Sequence, residues 1–209
     1  MITERGGMRL VWSLAALACA LWFVTFALGG VNFWIKIAIS AFILAAAAVW
    51  AHTPRFNTLR FDRTAVLQGV VSAVALYIVF WFGKEISALL FPFAPRQVDA
   101  IYGKGAGFPI PAIVIILLFI TGPCEEIFWR GFLQRRLMAR YGRWTGWLVA
   151  TGVYAGVHVW SLNFMLVGAA AVAGAFWGLM YLRFDRLDGL IISHSLWSAC
   201  IFAFVPMGR

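Results

Sequence analysis

Long apolar runs constrain this chain more than any other feature. From Leu10 to Leu28 few polar side chains interrupt the sequence, and comparable runs follow at Val31–Ala51, Ala65–Phe82, Pro109–Ile120, Trp144–Trp160, Phe164–Leu182 and Leu190–Val205. A helix needs about 20 apolar residues to cross a bilayer. In lipid the backbone must satisfy its own hydrogen bonds, which leaves only helices and closed barrels. The runs do not alternate with period two, as barrel strands would. With 63% hydrophobic and 12% charged residues, the chain is also far from a soluble domain, which is about half apolar and a quarter charged. The expected fold class is all-α, a polytopic membrane helical bundle of about seven transmembrane helices.

The net charge of +9 would fit nucleic-acid binding if it formed one patch. Instead the basic residues fall between the apolar runs, as membrane topology places them, so no nucleic-acid partner is expected. With the N-terminus inside, the inner segments hold Arg5, Arg9, Arg55, Arg60, Arg63, Arg135, Arg136, Arg140, Arg143, Arg183 and Arg186, and the outer ones Lys84, Arg96, Lys104 and Arg209. That asymmetry predicts a cytoplasmic N-terminus and an outside C-terminus, in a bacterial inner membrane. Cys19, Cys124 and Cys200 stand alone in apolar runs and read as small hydrophobes.

Met1–Arg9 is short and basic, and the run after it is too long for a signal-peptide core, so it reads as an uncleaved first span. His52–Arg63 reads as a basic loop. Lys84–Phe108, with its prolines and glycines, reads as the longest irregular connection, part of which could lie in the membrane interface. Gly122-Pro123 is expected to interrupt the fourth span, with a new helical segment starting just before the acidic pair that follows. The Gly/Ala-rich stretch Gly168–Gly174 permits close helix packing. The whole reads as one integral-membrane domain, 1–209, in which 1–108 are accessory spans and 109–206 a core.

Into this apolar sequence fall Glu125, Glu126 and Arg130. A charge near a bilayer centre costs at least about 2.5–3.5 kcal/mol, so such groups are paired or face a cavity. On a helix Glu126 and Arg130 are four apart and stack on one face, while Glu125 lies about 100° round. Glu126–Arg130 is therefore read as the structural pair and Glu125 as the working carboxylate.

Of the three histidines, His52 is in a loop, whereas His158 and His194 lie inside spans. One such histidine is usually a packing residue; two, with a carboxylate pair, make a site. Tyr154 shares a helix face with His158, and Ser198 with His194. A carboxylate with two imidazoles can activate water against an amide: Glu125 as base, His158 holding the water, His194 and Ser198 donating to the oxyanion. The same Glu125, His158 and His194 could instead bind Zn2+ with water in a fourth position. The spacing leaves both open. No HExxH, GxSG or GxGD motif is present.

Glu125-Glu126-x-x-x-Arg130 resembles the EExxxR motif of the CAAX prenyl protease and bacteriocin-processing (CPBP, or Abi) family. Tyr154-x-x-x-His158 is similar to its FxxxH motif, with tyrosine for phenylalanine, and His194-x-x-x-Ser198 to its HxxxN motif, with serine for asparagine. The resemblance covers roughly residues 110 to 205, a four-helix catalytic core. It implies an intramembrane endopeptidase that uses a glutamate-activated water without a metal cofactor. By that resemblance Glu125 is the base, His158 a water holder, and His194 with Ser198 the oxyanion site, supported by Glu126, Arg130 and Tyr154. The implied partners are the lipid bilayer and a membrane-anchored protein or peptide substrate. Two other readings compete: a non-catalytic family member in bacteriocin immunity or protein sorting, which the Ser198 departure favours, and a small transporter, for which the first three spans offer no polar route.

Overall fold

The computed structural model describes residues 4–51 and 59–207. His52, Arg55, Arg209 and the side chain of Arg5 lie outside them. Among the described residues there is no strand; the chain is all helical. Eight helices follow one another: α1 Glu4–Ala27, α2 Phe33–Trp50, α3 Arg63–Leu90, α4 Ala94–Gly103, α5 Ile110–Tyr141, α6 Arg143–Val157, α7 Phe164–Phe184 and α8 Asp188–Phe204. Side-chain caps set several starts. Asn32 accepts from the Trp34 N–H, Asp62 from Ala65 and Asn163 from Leu166, each satisfying an otherwise orphaned donor.

Five helices (α1, α2, α3, α5 and α7) are long and apolar enough to cross a membrane, while α8 is apolar but shorter. The α6 helix has 15 residues, so among the described residues five of the seven expected spans meet the length. Apolar side chains face outward: Phe42, Leu67, Phe119 and Leu148 are each more than 60% exposed, as a lipid-facing surface requires.

Two expectations are corrected. The connection from Lys84 is mostly helix, because α3 runs on to Leu90 and α4 takes up Ala94–Gly103. Apolar Ile86, Leu89 and Leu90 prolong the third run, and Pro95 fits the first turn of α4. Gly122-Pro123 does not break the fourth span either. The helix continues through it with two wide π turns, Leu117–Thr121 and Ile127–Gln134, which place Glu125 and Glu126 mid-helix between them. The wide register makes room for the proline: the Gly122 N–H reaches back to the Leu117 carbonyl, and the Leu118 carbonyl, which Pro123 cannot serve, accepts from the Ser195 hydroxyl at 3.0 Å. Gly122 allows this approach, since a Cβ there would meet Ser195 Oγ at 2.3 Å and Cα at 3.0 Å.

The buried side chains form two apolar clusters. One joins α1, α2, α5 and α6 with Ala170 of α7; the other joins α3, α7 and α8. At one end Arg186 clamps the starts of α3 and α8, donating to Asp62 at 3.1 Å and to Asp188. The Ala65 N–H and the Arg186 guanidinium hold the Asp62 carboxyl below its ordinary range.

Gly122→Ala is expected to cost about 1–3 kcal/mol through overpacking against α8, read as a lower Tm in detergent. A carboxyl with a lowered folded-state pKa stabilises above its unfolded value, about 3.9, and loses that contribution as pH falls through the folded value. The Tm difference between wild type and Asp62→Asn, which keeps the cap, should therefore hold from pH 8 to about 5 and vanish at more acid pH.

Candidate active site

A buried ion pair organises the centre of the bundle. Arg130 Nη1 donates to Glu126 Oε1 at 2.8 Å, with the side chains 2% and 0% exposed, which agrees with the i, i+4 pairing expected. The same oxygen accepts from His194 Nδ1 at 2.7 Å. Arg130 also donates to the Gly174 carbonyl of α7 at 3.3 Å, and Gln134, one turn on, donates to the Gly178 carbonyl at 2.7 Å. Both glycines allow the close approach: a Cβ on Gly174 would lie 2.8 Å from Tyr154, and one on Gly178 2.9 Å from Gln134 Oε1. Gly168, expected among the packing residues, has open space around it.

Glu125 points elsewhere, as its position round the helix predicts. Its Oε2 accepts from the Tyr154 hydroxyl at 3.1 Å. Glu125, Tyr154, His158, His194 and Ser198 all line one cavity of about 120 Å³ at the seam between the two apolar clusters. Straight helices would set the two histidines about 10 Å apart in depth, yet both line this cavity. A second, apolar cavity of about 320 Å³ adjoins the first and shares Ile101, Leu166, Ala169, Trp197 and Phe202 with it.

The two imidazoles are held differently. His194 lies flat on Trp177, with ring centres 4.0 Å apart and planes 17° apart. Its Nδ1 faces a carboxylate, so this nitrogen carries a proton and Nε2 is left for the cavity. His158 begins the short 3₁₀ turn His158–Ser161 that ends α6. Its Nδ1 donates to the Tyr154 carbonyl at 2.7 Å, and its Nε2 accepts from the Trp22 indole at 3.3 Å. A metal ligand needs a free ring nitrogen, and His158 has both engaged. Among the described residues no three His, Cys, Asp or Glu side chains converge as a metal site. The zinc arrangement of Glu125, His158 and His194 does not fit this donor set.

Trp22, Trp177 and Gln134 were missed by sequence reasoning. Trp22 is in a span without a motif, and Trp177 is one tryptophan among eleven. Gln134 did carry a signal, since it stands four residues after Arg130 and on the same face. The accessory helices also help close the cavity, through Phe26 of α1 and Phe33, Trp34 and Ile37 of α2.

With this geometry in view, the comparison with known families is specific. Residues 107–200 match the family model described as type II CAAX prenyl endopeptidase Rce1-like. Over that stretch the chain is similar to this family. The match bears out the CPBP resemblance read from the three motifs, and all seven residues of those motifs lie within it. The Rce1-like family is one of membrane proteases, which supports protease activity for this chain in a lipid bilayer. No curated protein and no solved structure matches the chain.

Arg130→Met would strand the Glu126 carboxylate in the core. It is expected to cost roughly 3–5 kcal/mol, seen as loss of folded protein in the membrane fraction or a collapse of Tm in detergent.

Proposed function

We propose that the protein is an intramembrane endopeptidase in which Glu125 activates a water without a metal. One observation carries the reading: Glu125, His158, His194 and Ser198, from three helices, line one cavity inside an otherwise apolar bundle. Glu125 takes a proton from water as the water oxygen attacks the scissile carbonyl carbon. His194 and Ser198 donate to the resulting oxyanion. As the C–N bond breaks, Glu125 returns the proton to the leaving nitrogen. With Nδ1–H given to Glu126, His194 can donate from Nε2 only as an imidazolium. His158, held by the Tyr154 carbonyl and the Trp22 indole, lines the cavity beside the water and limits where it can sit.

The substrate is a membrane-anchored protein or peptide whose apolar part occupies the neighbouring cavity. The metal-free mechanism is supported by the engaged nitrogens of His158. The distribution of basic residues supports an inner-membrane protein with its N-terminus in the cytoplasm. A second reading, a non-catalytic family member, draws on Ser198 in place of asparagine and on the occupied Nε2 of His158.

The test is cleavage of a library of membrane-anchored peptides by purified, exhaustively chelated protein. Wild type is expected to cleave, and Glu125→Gln, which still accepts from Tyr154, is expected to lose at least about a hundredfold in rate with Tm unchanged. Restoration of activity only by added zinc would overturn the mechanism. A Glu125→Gln form that supports the host as well as wild type would favour the non-catalytic reading.

A further inference from the structure

Tyr154 stands where the second family motif carries phenylalanine, so its hydroxyl is an addition to the site. It has not been left to point at random. The ring is buried, and Trp129 meets it edge-on at 5.0 Å. The Arg130 guanidinium lies over it at 5.0 Å from the ring centre. Gly174 leaves the space that Tyr154 Cδ1 fills, 2.8 Å from where a Cβ would be. These contacts aim the phenol at one target, Oε2 of Glu125 at 3.1 Å. Both groups line the cavity.

A carboxylate can only accept, so the phenol is the donor whenever Glu125 is ionised. Each carboxylate oxygen then has a separate task. We propose that Tyr154 is a positioning residue for Glu125: it holds Oε2, fixes the plane of the carboxylate and leaves Oε1 to take the proton of the attacking water. When Glu125 carries that proton on Oε1, Tyr154 continues to donate to Oε2, and the proton remains on the oxygen that delivers it to the leaving nitrogen. Tyr154 touches neither water nor substrate in this scheme. The inference rests on the protease reading for its catalytic consequence, but the contact it invokes can be tested without substrate.

The variant is Tyr154→Phe, which keeps the ring and restores the residue of the family motif. Two readouts are taken on purified full-length protein in detergent. In the first, the carboxylate stretching band of Glu125 is identified by its loss in Glu125→Gln and followed by infrared difference spectroscopy. Tyr154→Phe is expected to shift that band, as loss of a hydrogen bond to one oxygen requires. In the second, cleavage of the best peptide from the library is expected to show kcat lower by about tenfold or more with KM within twofold, at unchanged Tm. An unshifted band overturns the proposal. A shifted band with unchanged kcat overturns the catalytic role. A KM change with constant kcat places the hydroxyl on the substrate and overturns it as well. If wild type cleaves nothing while the band shifts, the protease reading fails and the Tyr154–Glu125 contact stands.

Discussion

Burying the Glu126 carboxylate is the constraint from which the rest of the centre follows. A charge removed from water is tolerated only with partners that satisfy it, and here each partner comes with a helix attached. Arg130 comes from the same helix and reaches on to the α7 backbone, and His194 brings α8. The need to solvate one carboxylate therefore fixes three helices in register. Glu125, one residue earlier, is turned out of this arrangement and into the cavity. Adjacent carboxylates are given opposite environments, the arrangement by which one fold keeps a structural charge apart from a reactive one.

The sequence made the general architecture legible because lipid imposes such a narrow rule. Apolar runs of sufficient length can only be helices, and each of the seven runs is helical where it was expected. The Glu126–Arg130 pair was also legible from helix geometry alone. The π turns around Gly122-Pro123 were not readable, because a proline in an apolar run predicts a break unless a neighbour serves the freed carbonyl. That neighbour, Ser195, lies more than seventy residues downstream. The α4 helix was hidden for a similar reason: its prolines and glycines resemble a loop until its packing against α7 is known. The role of Trp22 depends wholly on a tertiary contact with His158, and no local pattern announces it.

The first two helices carry none of the motifs and fall outside the matched stretch, yet they supply one wall of the cavity. Phe26, Phe33, Trp34 and Ile37 keep it apolar, and Trp22 ties α1 to the end of α6. Water-excluding walls strengthen every electrostatic contact within them. The accessory part is thus integral to the site, and a core reduced to the motif-bearing helices would open the cavity on that side.

The two wide turns in α5 bear on how the length of this chain could vary. A π turn is the form an α-helix takes when it admits one additional residue in a single turn. A deletion of one residue between Leu117 and Thr121 would close the first wide turn to ordinary pitch and leave the following residues facing as before. The same deletion at Cys124, where the pitch is ordinary, would swing the acidic pair by about 100° relative to the preceding helix, carrying Glu125 away from Tyr154 while Arg130 moves with Glu126. Tolerance to insertion and deletion should therefore change abruptly within a few residues along one continuous helix.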